Sequence, residues 1–379
     1  MVALSLALLA GFAALAVDYA FLRHKMNRLR KAAEDSSLVG AAMLVPLGAA
    51  LQTVRDETVR AGQAVLDRDD SPELAIRASD VVFLHDGTAA ESPPDQVEVT
   101  AGRTGARGNP VRLFLGKILG QRFADVSASG RAGLYCAGAA SGMAPLAVAE
   151  KFTWDDACDP EPGRRGNGAL DAQSPCETAS LRVVGYGSGD VGTRIALRPG
   201  RMGLVSPGDC YVLEGAASGH TETGEPGMGA YGLTSLAGGR QGLRVAVADE
   251  LRLDSGERAE RWFRQAMARC VEMDDGAFWD DSKGVVAGSR YRDPGKSPRV
   301  LRLAFFDPSR PPSPGREVVR ASRLGAVFIE AVSGNGDVVG RLVRALGVSP
   351  TPAAGPCDPE SVGLYGVRLV RIAEEERMD

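Results

Sequence analysis

Three histidines, His24, His85 and His220, are the only imidazoles in the chain. An imidazole is the usual base, or zinc ligand, near neutral pH. His24 lies in a basic run, His85 in a His-Asp-Gly turn signal and His220 in a glycine-rich stretch, and no spacing pairs any of them with a nucleophile or a second ligand. No G-x-S-x-G elbow and no phosphate-binding P-loop is written. Gly187, Gly189 and Gly192 do spell G-x-G-x-x-G. A dinucleotide loop must open a helix, however, and here "TRIALRPG" follows with strand patterning and Pro199, so the glycines read as turn residues. Asp274, Asp275, Asp280 and Asp281 crowd one short stretch, "DDGAFWDDSKG". Calcium needs oxygen ligands at graded spacing around a tight turn; the EF-hand spacing is missing, and the stretch reads as a solvated acidic loop. The chain is therefore expected to be no enzyme, with no cofactor, no metal site and no small-molecule substrate.

The cysteines carry more information. Cys136, Cys158, Cys176, Cys210, Cys270 and Cys357 are an even number spread through loop-like sequence, without a CxxC pair. That pattern favours disulfides over a zinc ribbon and suits an oxidising compartment. Six cysteines allow fifteen pairings. Cys158 with Cys176 is the preferred pair, because only a glycine-rich loop separates them.

The elements that must position these groups begin with an apolar run. Val2 to Leu22 is interrupted only by Ser5, Asp18 and Tyr19, close to the ~20 residues that cross a bilayer as a helix. A membrane anchor is the preferred reading, with Leu8 and Leu15 as lipid-facing positions. Asp18 would either reach the interface and pair with Arg23 or meet a neighbouring subunit. Arg23, Lys25, Arg28, Arg30 and Lys31 follow the span, which on charge alone would leave the body in the cytoplasm. The cysteines point the other way, and an exported body is preferred. Helical patterning continues from Ala20 to about Leu66 through Leu22, Met26, Leu29, Ala33 and Leu38, with Pro46 and Gly48 bending or interrupting it.

Beyond it, "ASDVVFLHDG" and "DQVEVTAGR" read as strands, "NPVRLFLGKILG" (109–120) as a short helix and "FADVSASGRAG" as a strand. From about Leu134 the texture becomes glycine-rich and β-like, with 47 glycines and 22 prolines in 379 residues overall. Within that part, "SGERAERWFRQAMARC" is an amphipathic helix with Ala259, Trp262, Phe263, Ala266 and Met267 on one side. The expected class is α+β, in three regions. Residues 1–66 form a long transmembrane, pilin-like helix and its continuation, 67–133 a small α+β head, and 134–379 a β-rich, disulfide-containing exported domain. A net charge of −4 excludes a strongly basic nucleic-acid surface.

The opening "GFAALAVDYAFLRHKMNRLRKAAEDSSLVGA" resembles the N-terminal segment of TadE/TadG-like proteins of the Flp, or tight-adherence (Tad), pilus machinery. Those proteins join an apolar helix with a Val-Asp near its end to a basic stretch and an alanine-rich run; Val17-Asp18 and "KAAEDSSLVGAA" stand in those places. "VEVTAGRTGARGNPVRLFLGKILGQRFADVSASGRAG" is similar to the family's strand, helix, strand segment, and "GMAPLAVAEKFTWDD" and "SPRVLRLAFFDP" to pieces of its longer members. The prepilin-peptidase signal and the DxSxS metal motif of some members are not found here. The resemblance implies a minor pilin or pseudopilin-like assembly component, single-pass in the bacterial inner membrane, with its body periplasmic or extracellular. Its partners would be other pilus or pseudopilus subunits and inner-membrane assembly proteins. The alternatives are a pilus-tip adhesin, suggested by the long glycine-rich loops, and an exported hydrolase, which has no nucleophile–base signature to support it.

Overall fold

The fold is that of a computed structural model. It describes all residues except 1, 46–49, 91–92, 215, 217–242, 255, 334–336, 356 and 372–379, and not the side chains of 2–11, 14, 118 and 119. Pro46, Gly48, His220 and the glycine-rich stretch around His220 thus lie outside the described residues. The chain divides into two compact units: residues 1–44, 49–134 and 367–379 make the first, and 45–48 with 135–366 the second. The segments 1–66 and 67–133, expected to be separate, fold together in the first unit.

In the first unit, helix α1 (Val2–Met43) is followed by α2 (Leu51–Val65) and an antiparallel sheet of β1 (Val81–His85), β2 (Gln96–Arg103) and the first half of β3 (Val126–Met143). The period-two alternation of β2 buries Val97, Val99 and Ala101 on one face. The second half of α1 lies in the same core as these residues, through Leu29, Ala32, Ala33 and Ala41. Small residues at the crossing bring backbones together. A Cβ built on Gly130 of β3 would stand 2.6 Å from the Glu34 nitrogen and 2.7 Å from the Ala33 carbonyl carbon, so only glycine fits there. Ser36, fully buried on α1, donates its hydroxyl to the Thr58 carbonyl of α2 at 2.5 Å.

The second unit is built on a ring of six strands: β4 (Leu146–Ala149), β5 (Arg194–Pro199), β6 (Asp209–Leu213), β9 (Val300–Phe306), β10 (Val318–Val332) and β11 (Val338–Leu346). Strands β7 (Leu243–Ala246) and β8 (Glu250–Asp254) precede β9 in the chain. Pairing runs β10–β9–β4–β6–β5–β11 and returns to β10, with β4–β9 and β5–β6 parallel and the rest antiparallel. Strand β8 bridges β6 and β10. Alternate residues of all six strands (Leu146 and Val148, Ile195 and Leu197, Cys210 and Val212, Leu303 and Phe305, Val327 and Ile329, Val338 and Leu342) share one core. That is the period-two signature of a small, filled barrel.

Among the described residues two α-helices belong to this unit, α3 (Pro175–Ser180) and α4 (Glu257–Met273). The apolar stripe of α4 joins the barrel core through Trp262, Phe263, Ala266, Met267 and Cys270. The opposite strand faces form a second core with Ala147, Tyr211, Phe306, Leu324 and Phe328. Strand β12 (Val348–Pro352) and β7 pair with the second half of β3, and β13 (Gly363–Leu369) runs parallel to β11.

The expected class, α+β led by a transmembrane helix, does not describe this molecule. Strands make up 38% of it, most of them in a large mixed sheet. Among the described residues no helix is long and apolar enough to cross a membrane. The physical reasons are visible in the elements. The β-branched, glycine-punctuated runs beyond Leu134 commit the larger part of the chain to strands. On α1, the stretch that packs buries alanine against its own sheet and serine against α2, which is the surface of a helix in a protein core.

Candidate functional site

The residues expected to form an anchor meet a different partner from the one anticipated. Asp18 is buried on α1, and its carboxylate accepts three successive backbone N–H groups: Phe114 at 2.8 Å on Oδ1, and Leu115 at 3.0 Å and Gly116 at 2.5 Å on Oδ2. It pairs neither with Arg23 nor with a charged group elsewhere in these bonds. Arg23 is exposed and donates to the Tyr19 hydroxyl one turn earlier at 3.4 Å. Desolvation alone would push the Asp18 pKa up, but the three amide donors outweigh it and hold the carboxyl below its ordinary range.

The segment that receives Asp18 is not the helix expected at 109–120. It forms a two-residue strand at Val111–Arg112, a 3-10 turn at Gly116–Leu119 and a return strand at Phe123–Ala124. Leu113, Phe114 and Leu115 are apolar in succession, without the three-and-four spacing that a packed helix needs. The amides of Phe114–Gly116 enter that turn unpaired within it, and Asp18 supplies their acceptor from 96 to 98 residues away. Phe114 then packs edge-to-face on Phe21 at 4.9 Å.

Below this junction α1 is tied in by charge. Asp70, buried in a turn after α2, accepts from Lys25 Nζ at 2.5 Å and Arg103 Nη1 at 3.1 Å, with Arg28 Nε at 3.5 Å; Arg28 also bonds Asp67. A buried carboxylate with three cations around it is compensated. Around the junction the described apolar side chains of α1 include exposed ones: Phe12 is 72% exposed and Tyr19 62%, with Leu15 and Val17 exposed between them. Phe114 and Phe123 add two further exposed aromatic rings to the same unit. The side chain of Leu8 lies outside the described residues. The expected placement, single-pass in the bacterial inner membrane with a periplasmic or extracellular body, has no membrane-spanning helix to carry it among the described residues.

The other expected sites come apart. His24 is exposed, and His85 stands 3.8 Å from Asp86 and 4.0 Å from Asp95 without a nucleophile. Gly187, Gly189 and Gly192 surround a 3-10 turn that leads into β5, so no helix follows them. Asp274 is buried and satisfied by the Ser289 and Ser297 hydroxyls and the Arg290 amide; Asp280 takes Ser282 and Lys283, and Asp281 takes Arg341. Each of these carboxylates serves its own structural partner. Among the described residues no three His, Cys, Asp or Glu side chains group closely enough to hold a metal by themselves.

Two disulfides form, Cys158–Cys176 and Cys136–Cys357, both in the second unit. Cys210 and Cys270, also disulfide candidates by sequence, are free and buried in the barrel core. Burial raises both thiols, that of Cys270 to about 12, so neither is a reactive thiolate. A hollow lined by Pro199, Tyr211, Asp254 and Glu260 measures about 20 Å³, room for one water.

Comparison with protein-family models, curated proteins and solved structures returns no match.

Proposed function

We propose that the chain is a non-catalytic structural subunit of a bacterial Tad/Flp-type pilus or a related assembly. In this reading the exposed residues of α1 from Phe12 to Tyr19 are its joining element. The observation that carries the reading is the contrast within one helix. From Asp18 onward α1 is fixed to its own unit by the three amides of Phe114–Gly116 and by Asp70, whereas Phe12, Leu15 and Val17 before that point, and Tyr19 just after it, are left exposed. Burying those side chains against other subunits removes apolar surface from water, at roughly 25 cal/mol per Å². The sequence likeness to TadE/TadG-like proteins supports the same reading.

The test is genetic and structural. Deleting the gene in the organism that encodes the protein should abolish or shorten surface filaments, and a photo-crosslinking residue at position 12 or 19 should capture pilus subunits. Normal filaments without the gene, together with no crosslink at either position, would overturn the proposal.

A further inference from the structure

The stretch from Asp155 to Glu177 carries six acids (Asp155, Asp156, Asp159, Glu161, Asp171 and Glu177) against two arginines, Arg164 and Arg165, and the Cys158–Cys176 disulfide closes most of it into a loop. Several of these acids are accounted for. Asp155 accepts from the Ala157 amide at 3.0 Å and Asp159 from the Glu161 amide at 2.8 Å. Asp171 accepts from the Gln173 amide at 2.8 Å and faces Arg164 Nε at 3.3 Å. Glu177 is different. Its side chain is fully buried, and Oε2 accepts from the Asp171 amide at 2.7 Å, but the buried Oε1 has no donor. Asp156 repeats the pattern: Oδ2 accepts from the Gly168 amide at 2.8 Å, while Oδ1 is buried without a donor. The two acids grip the same short stretch, 168–171, one at each end.

The charges that act on Glu177 are Asp156, Asp171 and Asp159, all negative, and they reinforce the effect of burial, which raises its carboxyl above the usual range. A buried carboxylate in an acidic surround is costly unless a proton or a cation compensates it. The acidic stretch at 274–281 shows the contrast, since its buried carboxylate, Asp274, has three donors, and Asp280 and Asp281 each have a donor or a cation.

We propose that this loop binds a calcium ion through Asp156 Oδ1 and Glu177 Oε1, with main-chain carbonyls and water completing the shell. The donor set decides the class of ion. Both cysteines are tied up in the disulfide and no histidine is present in the loop, so soft and borderline metals lack their ligands. One carboxylate in a turn, Asp156, and one on α3, Glu177, joined by an irregular, glycine-containing loop, suit the flexible six-to-eight oxygen shell of calcium better than the strict octahedron of magnesium. The bound ion would neutralise the Asp156–Glu177 repulsion and stiffen the loop.

Thermal unfolding of the full chain tests this, comparing calcium chloride with EDTA. Calcium is expected to raise Tm by about 3 °C at concentrations near ten times Kd. Magnesium chloride at the same ionic strength should give no comparable rise. E177Q, which keeps the acceptor for the Asp171 amide, should lose the calcium response and melt in EDTA no lower than the parent. D156N should lose the response as well, which guards against a folding defect in either variant. No calcium shift in the parent, an equal shift with magnesium, or an undiminished shift in both variants would overturn the site.

Discussion

The Asp18 carboxylate accepts the backbone N–H of Phe114 at 2.8 Å, joining α1 to a loop 96 residues further along the chain. With Leu115 and Gly116 bonded beside it, one side chain serves as the acceptor for a whole turn. This junction marks where α1 changes from exposed helix to core helix.

D18N should therefore loosen that turn more than it disturbs the rest of the unit. Hydrogen exchange at the amides of Phe114, Leu115 and Gly116 is expected to quicken several-fold, while Val97 and Val99 in the sheet keep their protection. In the parent protein the same amides should lose protection in acid. The folded pKa of Asp18 lies below its unfolded value, so the stabilisation is present above about pH 4 and disappears as pH falls through the folded value. Unchanged exchange in D18N would show that the three bonds do not hold the turn.

Replacing Gly130 with valine should force α1 away from the sheet, because the new side chain would collide with backbone atoms of Ala33 and Glu34. Overpacking of this kind costs about 1–3 kcal/mol, read as a lower urea midpoint for the first unit. A stability equal to the parent would mean that the helix approaches less closely.

In guanidinium without reductant, dithionitrobenzoate should detect two thiols per chain, those of Cys210 and Cys270. In the native protein it should detect almost none, since both are buried. C136S combined with C357S is expected to lose about 2–5 kcal/mol of stability. Six reactive thiols in the oxidised, unfolded protein would contradict the pairing.

Asp209, at the head of β6, is buried, and burial pushes its carboxyl up to about 6 although the Ser206 amide, Arg198 and Arg201 pull it down. Its folded pKa is raised, so its contribution is fullest below the unfolded value near pH 4 and is lost as pH climbs through about 6. D209N keeps an acceptor for Ser206 and cannot ionise. It should exceed the parent by about 1–2 kcal/mol at pH 8 and show no advantage at pH 4, measured by chemical denaturation. An identical difference at both pH values would remove the ionisation argument.

Local periodicity carried much of this architecture. The spacing of Ala259, Trp262, Phe263, Ala266 and Met267 marks α4 as a half-buried helix, and all five are buried. The alternation of Val97, Val99 and Ala101 marks β2. What periodicity cannot give is partner choice across long separations. Neither the pairing of β4 with β9 nor the bond from Asp18 to Phe114 leaves a local signal. The 109–120 segment shows the related failure. Asn109, Pro110 and Gly120 are sound punctuation, yet the run Leu113-Phe114-Leu115 between them lacks a helical face, and a remote carboxylate supplies what a helix would have supplied itself. The apolar opening run reads as a lipid span, whereas further along α1 Ala32 and Ala33 share a core with the sheet and Ser36 bonds α2.

The Cys136–Cys357 bridge encloses 221 residues of separation, nearly the whole of the second unit. A protease that nicks the backbone once anywhere between those cysteines cannot release a fragment: both pieces stay covalently joined until a reductant arrives. A single cut between the two cysteines would then be silent on a non-reducing gel.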